Sequence, residues 1–132
     1  MKNKQSIPYK KNKGLVRIFL AIRYSLDGVL TALQEESAFR QECLIAPVFI
    51  LYAIWLPVGN IETVIMVFSV LLVLIVELLN SSVEATIDRI SLSENFLSKR
   101  AKDYASAAVF LSIVSCLGIY IAFSISYWKS II

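Results

Sequence analysis

The sequence predicts an all-α membrane protein, with an N-terminal amphipathic surface helix followed by three transmembrane helices. Composition is the first reason. Of 132 residues, 58% are hydrophobic, and the mean hydropathy of +0.70 is too apolar for an ordinary soluble domain. The second is how the apolar residues are grouped. Residues 43–59 and 63–76 carry no charge, and residues 104–128 run twenty-five positions without one. A bilayer's hydrocarbon core takes roughly 20 helical residues, so the last block spans alone and the first borrows residues on either side. The third is where the basic residues lie. Lys2, Lys4, Lys10, Lys11, Lys13, Arg17, Arg23 and Arg40 precede the first span, and the 58–62 connection has no Lys or Arg. Arg89, Lys99, Arg100 and Lys102 lie between the second and third spans, and only Lys129 follows. The positive-inside rule then puts the N-terminus and the second loop in the cytoplasm, with the C-terminal end on the far side.

Residues 1–14 form a basic leader, with five lysines among the first thirteen residues. Such a leader attracts anionic headgroups by about 1 kcal/mol per basic residue near the surface. It equally serves as a solvated topology signal. No cleavable signal peptide is expected, because the basic start leads into an amphipathic stretch before any apolar core. That stretch covers residues 15–35. Leu15, Ile18, Phe19, Ile22, Leu26, Val29, Leu30 and Leu33 are interleaved with Arg17, Arg23, Ser25, Asp27 and Gln34 at helical spacing. Gly28 is read as allowing a bend or a close approach, or equally as a chance interruption.

The three spans are expected at about 40–58, 61–90 and 100–128. A charged run, Glu35-Glu36-Ser37-Ala38-Phe39-Arg40-Gln41-Glu42, leads into the first, and Pro47 should kink or restart it. Pro57-Val58-Gly59-Asn60 turns the chain outside, and 91–98 reads as a cytosolic loop. Tyr127 and Trp128 close the third span at the interface. Cys43 and Cys116 sit in apolar segments. With no C-x-x-C and no His, the sequence offers neither a zinc site nor a His-based catalytic site.

Steps of three, four and seven share one helix face, so Glu77, Asn80, Ser81, Glu84 and Asp88 form one polar stripe on an otherwise Leu-, Val- and Ile-rich helix. A carboxylate at membrane depth is expensive and usually faces a bundle interior or a water-filled site. Glu36 and Glu42 reach the same level from the first span, together with Arg17, Arg40, Arg100 and Lys102. Mg²⁺ prefers carboxylate oxygens alongside substrate phosphates, and phosphoryl transfer needs metal, positive charge and a group that positions or deprotonates the acceptor. A Glu77 withheld from water is suited to accept that proton. Blander readings exist for each residue. Glu36 and Arg40 at i,i+4 also make a surface ion pair, Lys99, Arg100 and Lys102 also set topology, and Asn80 and Ser81 also serve as interhelical glue. No Walker-type or G-x-G-x-x-G motif is present, so any nucleotide site must be built from helix ends.

Several segments resemble one family. Glu36-Ser37-Ala38-Phe39-Arg40-Gln41-Glu42, Val76-Glu77-Leu78-Leu79-Asn80-Ser81-Ser82-Val83-Glu84-Ala85, Asp88-Arg89 and Ala101-Lys102-Asp103-Tyr104-Ala105-Ser106-Ala107-Ala108 are similar, in order, to the small integral-membrane diacylglycerol kinases of bacteria. The resemblance covers roughly residues 15–128. Its Phe-Arg-Gln-Glu element looks like the Gram-negative branch rather than the related undecaprenol kinases. The resemblance implies a homotrimeric helical bundle in the bacterial inner membrane that transfers the γ-phosphate of ATP to diacylglycerol, giving phosphatidic acid, with Mg²⁺ as cofactor. Glu77 would be the general base, Glu36 and Glu84 the metal ligands beside the ATP phosphates, and Asn80 a supporting residue. Arg17, Tyr24, Lys102 and Asp103 would also contact ATP. Ser25, Ala38, Arg40, Gln41, Glu42, Trp55 and Ser106 would border the lipid.

The lysine-rich leader and the Ser93-Glu94-Asn95 loop depart from the pattern. The position of that loop makes Glu94 and Asn95 a candidate cover for the nucleoside. One chain is expected to leave Glu77 open to lipid. Trimerisation would supply the missing walls, with Ala105, Ser106, Ala107 and Ala108 permitting close helix approach. Undecaprenol remains the alternative acceptor, and a non-catalytic membrane oligomer or small cation channel the alternative class. Against the channel, the outward half of the second span offers only Ser69 and Thr63 to continue a polar path. Nucleic acid is not an expected partner.

Overall fold

Three apolar stretches and an amphipathic leader segment become four helices: α1 (Leu15–Glu35), α2 (Ser37–Trp55), α3 (Asn60–Ile90) and α4 (Phe96–Ile131). They are seen in a computed structural model that describes residues 14–90 and 95–131. The lysine-rich leader through residue 13 and Glu94 lie outside the described residues. α2, α3 and α4 are each long and apolar enough to cross a membrane, which makes this a membrane protein. At about 1.5 Å per residue, the 31-residue α3 is about 46 Å long, well beyond a hydrocarbon core of about 30 Å. α3 is therefore longer than the apolar layer alone requires.

α3 is central and packs against both α2 and α4. Its buried positions, Met66, Ser69, Val70, Val73 and Glu77, recur at three- and four-residue steps and so lie on one face. On α2 the buried positions are Phe39, Ala46 and Ala53, seven apart, and the two alanines allow α3 to approach closely. α2 meets α4 through aromatic groups. The Tyr120 hydroxyl donates to the Phe49 carbonyl at 3.1 Å, and the Tyr52 and Ser124 hydroxyls are 2.9 Å apart. Ser69 Oγ lies 2.7 Å from the Met66 carbonyl and 3.3 Å from Cys116 Sγ. Both cysteines are free thiols, Cys116 buried in the core and Cys43 partly buried.

Several boundaries differ from expectation. α2 begins at Ser37 because one extended residue, Glu36 (φ −98°, ψ 113°), is enough to break the helix and redirect the chain. Pro47 neither restarts nor ends α2, which continues through it. Membrane helices tolerate such a position because neighbours re-satisfy the freed backbone. α4 begins at Phe96 because Asn95 Oδ1 accepts hydrogen bonds from the Leu97 and Ser98 amides at 2.8 and 3.4 Å, a side-chain N-cap. The loop expected over 91–98 is correspondingly shorter. α1 runs unbroken through Gly28, and a Cβ there would meet nothing within 4 Å, so no close approach explains that glycine.

The surface ion pair weighed for Glu36 and Arg40 does not form among the described residues. Arg40 Nη1 instead donates to the carbonyls of Gln34 at 2.8 Å and Leu33 at 3.3 Å. It thereby holds the last carbonyls of α1 over the start of α2. Hydrogen bonds from a charged donor contribute roughly 1.5–3 kcal/mol, and solvent exposure of Arg40 moves this one to the low end. Arg40→Met should therefore speed amide hydrogen exchange in the last turn of α1. An unchanged exchange pattern would rule this role out.

Candidate functional site

The site begins where the inner face of α3 changes character. From Met66 through Val70 and Val73 that face is apolar and buried, and the next inward position is Glu77. Glu77 is 4% exposed within a single chain, which corrects the expectation that one chain would leave it open to lipid. α3 is packed between α2 and α4. Ala46 lets α2 approach α3 closely, and Glu42, one turn earlier, is brought into electrostatic contact with Glu77.

Further carboxylates surround this pair. Glu36, Glu84 and the Asn80 side chain also lie within electrostatic range of Glu77. Asn80 Nδ2 donates to Glu84 Oε1 at 3.4 Å. Among the described residues, the buried polar side-chain atoms without a hydrogen-bond partner are Glu42 Oε2, Asn80 Oδ1 and Ser81 Oγ. All three belong to this cluster. Buried polar groups are normally satisfied, so three orphans in one place mark a surface built to meet something else.

Two hollows adjoin the cluster. One, of about 610 Å³, lies between α1 and α3 and is bordered by Tyr24, Ser25, Glu36 and Ser81. The other, of about 160 Å³, is an apolar cleft among α2, α3 and α4 that has Glu42 in its wall. The donor chemistry suits Mg²⁺ in one respect. Although these carboxylates lie within electrostatic range of one another, no three Asp, Glu or Cys among the described residues stand close enough together to hold a metal ion by themselves. Mg²⁺ is usually held by one or two carboxylates plus waters and substrate phosphates, and Glu36 and Glu84 are two such groups.

A pore is poorly supported. Beyond Glu77 the inner face closes with Val73, Val70 and the fully buried Met66, and Ser69 already has partners.

The model of the prokaryotic diacylglycerol kinase family matches residues 23–124. The chain belongs to that family. Curated relatives named diacylglycerol kinase agree. The protein of Pseudomonas aeruginosa is 50% identical over 106 residues, covering 80% of this chain and 86% of the relative. The Escherichia coli K12 protein is 46% identical over 101 residues, covering 76% and 83%. The Helicobacter pylori 26695 protein is 39% identical over 104 residues, covering 79% and 81%.

Within this family member, the structure brings together Glu36, Glu42, Glu77, Asn80 and Glu84, and sets Tyr24 and Ser25 in the hollow beside Glu36. Lys102 reaches the same end through a 2.6 Å ion pair with Asp88, one turn past Glu84 on α3. Asp103 is paired instead with Lys99 at 2.7 Å on the exposed side of α4. Such part-exposed pairs contribute little, about 0–1 kcal/mol, so either side chain can be recruited elsewhere.

Other expected residues stay apart. Arg17 lies in a separate hollow along α1, although Ser25 borders both hollows. Ala38, Gln41 and Ser106 are exposed. Trp55 stands thirteen residues after Glu42 on the same helix, about 20 Å away, where it tilts against Tyr52. Asn95 is occupied as the α4 cap, while Glu94 is outside the described residues.

Asp88 has a place on the stripe in the sequence, but its Lys102 partner, and the wall formed by Leu78, Ser82 and Ala85, emerge only in the structure. Leu78 and Ala85 lie three before and four after Ser81 and so share its face, which was the available signal, whereas Ser82, next to Ser81, carried none.

Proposed function

We propose that this chain is a Mg²⁺- and ATP-dependent lipid kinase that phosphorylates diacylglycerol at the inner leaflet of the bacterial cytoplasmic membrane. The observation that carries the reading is the buried Glu77, set among Glu36, Glu42 and Glu84 where the α3 face turns polar. Family membership, and the name shared by the relatives, supply the acceptor and the donor.

In the reaction, the lipid hydroxyl gives its proton to the Glu77 carboxylate as its oxygen bonds to the γ-phosphorus of ATP. The bond from that phosphorus to the β–γ bridging oxygen breaks, and ADP leaves. Glu36 and Glu84 are the residues to hold Mg²⁺, which when bound neutralises charge on the phosphates. Asn80, donating to Glu84 and lying within electrostatic range of Glu77, helps keep the Glu84 carboxylate in place. Tyr24 and Ser25 line the nucleotide side, with Arg17 and Lys102 as the cations that steady phosphates and Asp103 a further contact. Glu42, Arg40, Gln41, Ala38 and Ser106 border the lipid headgroup, and Trp55 its tails.

α1 lies along the cytoplasmic interface, in keeping with the apolar side chains it leaves exposed, including Leu15 at 83%. The working form is a homotrimer. Leu71, Leu72, Ile75 and Leu79 of α3 remain uncovered in one chain, and lipid or a second copy must face them. Because Glu36, Glu42 and Glu84 surround Glu77 within its own chain, a neighbour's contribution would come from elsewhere, such as Asp103. Mixing Glu77→Gln and Asp103→Asn subunits should then restore partial activity, whereas mixing Glu77→Gln with Glu84→Gln should not. Failure of the first mixture would leave each site confined to one chain.

The deciding assay supplies ATP and Mg²⁺ with diacylglycerol or undecaprenol, side by side in bicelles. Mg²⁺-dependent phosphatidic acid is the expected product. Preference for undecaprenol would transfer the assignment to that alcohol, and no phosphorylation of either would end it.

A further inference from the structure

Lys102 Nζ of α4 lies 2.6 Å from Asp88 Oδ1 of α3, and both side chains are part-exposed. Nothing in α4 itself fixes that lysine. The positions three and four away are Ser98, Lys99, Ala105 and Ser106, none of them acidic, and the adjacent Asp103 is taken by Lys99 at 2.7 Å. Asp88, in turn, has Glu84 one turn before it on α3 and no basic residue three or four positions away. The pair therefore sets where the ammonium stands: beside Asp88, one turn or about 5.4 Å of helix rise from Glu84. An ammonium has three N–H donors, and Asp88 accepts one of them, which leaves two for a phosphate.

We propose that Asp88 is a positioning residue, which holds the Lys102 ammonium near Glu84 so that it meets the ATP phosphates already ordered. The proposal rests on the lipid-kinase reading, in which Lys102 is a phosphate cation, and adds the carboxylate that aims it. A lysine stem is flexible, and ordering it costs binding energy when the nucleotide arrives. An ion pair of this exposure is too weak to hold two helices together, but it suffices to bias the rotamers of one side chain.

Charge alone predicts the opposite result. Asp88 is an anion near the site of a polyanion, so its removal by itself would improve ATP binding. Positioning predicts that Asp88→Asn raises KM for ATP about three- to fivefold, the factor a part-exposed ion pair supplies at the top of its range, with kcat near wild type. Asp88→Glu keeps the carboxylate and should recover most of the loss. The exchange of Asp88→Lys with Lys102→Asp rebuilds the tie between α3 and α4 with its charges reversed. Thermal stability should then be kept while KM for ATP stays raised. An unchanged or lowered KM in Asp88→Asn would overturn the proposal. So would a normal KM in the exchanged protein, because the pair would then be a helix tie alone.

The arrangement is also read without turnover, by acetylating Lys102 with acetic anhydride and following that residue by peptide mass spectrometry. Mg²⁺ with the non-hydrolysable analogue AMP-PCP should slow its labelling in the wild type, and Asp88→Asn should speed it when no nucleotide is present. Protection by the analogue with a labelling rate that Asp88→Asn leaves unchanged would overturn the proposal and keep the kinase reading. No protection in the wild type would end the proposal even if the enzyme phosphorylates diacylglycerol. Protection without phosphorylation, with faster labelling in Asp88→Asn, would retain the Asp88–Lys102 arrangement and dismiss the lipid-kinase reading.

Discussion

Glu77→Gln is expected to lower turnover by about 10²–10⁴-fold, the usual contribution of a positioned general base. The amide keeps the size of the side chain and its ability to face Asn80, but it does not accept the hydroxyl proton. Folding should survive. Glu77 shares its surroundings with Glu36, Glu42 and Glu84, and removing one of several like charges from a poorly solvated cluster relieves repulsion. The expected signature is therefore a fall in kcat, with KM for ATP and the oligomer's thermal stability close to wild type. Normal turnover by this variant would remove Glu77 from the mechanism. Unfolding would mean that the carboxylate has a structural task.

Glu84→Gln comes next in expected size. Glu84 lies two turns beyond Glu77 on α3, half-buried, and accepts a hydrogen bond from Asn80. Losing its charge removes one of the two proposed anionic holds on Mg²⁺. Removal of one preorganised electrostatic group typically costs about 10²–10³-fold in turnover, and a comparable loss is expected at fixed Mg²⁺. The Mg²⁺ concentration for half-maximal rate should rise as well, so added Mg²⁺ recovers part of the activity. Asn80→Ala should do less, about 10–100-fold, because it orients the carboxylate rather than binding the ion. A Glu84→Gln enzyme with an unaltered Mg²⁺ titration would assign the metal to other residues.

Much of the site is legible along the chain because it occupies one helix. The three- and four-residue steps from Glu77 to Asp88 determine that Asn80, Ser81 and Glu84 share a face, whatever packs against it. The partners of that face are another matter. Arg40 stands one turn after Glu36 and looks like its ion-pair partner, yet it points back to the α1 carbonyls. A single extended residue at Glu36 folds α1 over the start of α2, and no periodicity records that break. Asn95, a loop residue in the sequence, turns out to be a helix cap. Likewise, Lys102 and Asp103 are neighbours in sequence but bind Asp88 and Lys99, because successive helical positions point about 100° apart.

The sequence by itself determined three apolar helices of spanning length, the polar stripe on the second and the motifs that identify the family. Only the tertiary structure decided that Glu77 is buried within one chain, with Glu42 of α2 in electrostatic range of it, and that an apolar cleft opens beside Glu42. The reason is that helical periodicity is a local property, carried by residues a few positions apart. The crossing of α2 over α3 depends on how closely Ala46 and Ala53 let two distant segments approach, and that distance is set by packing alone.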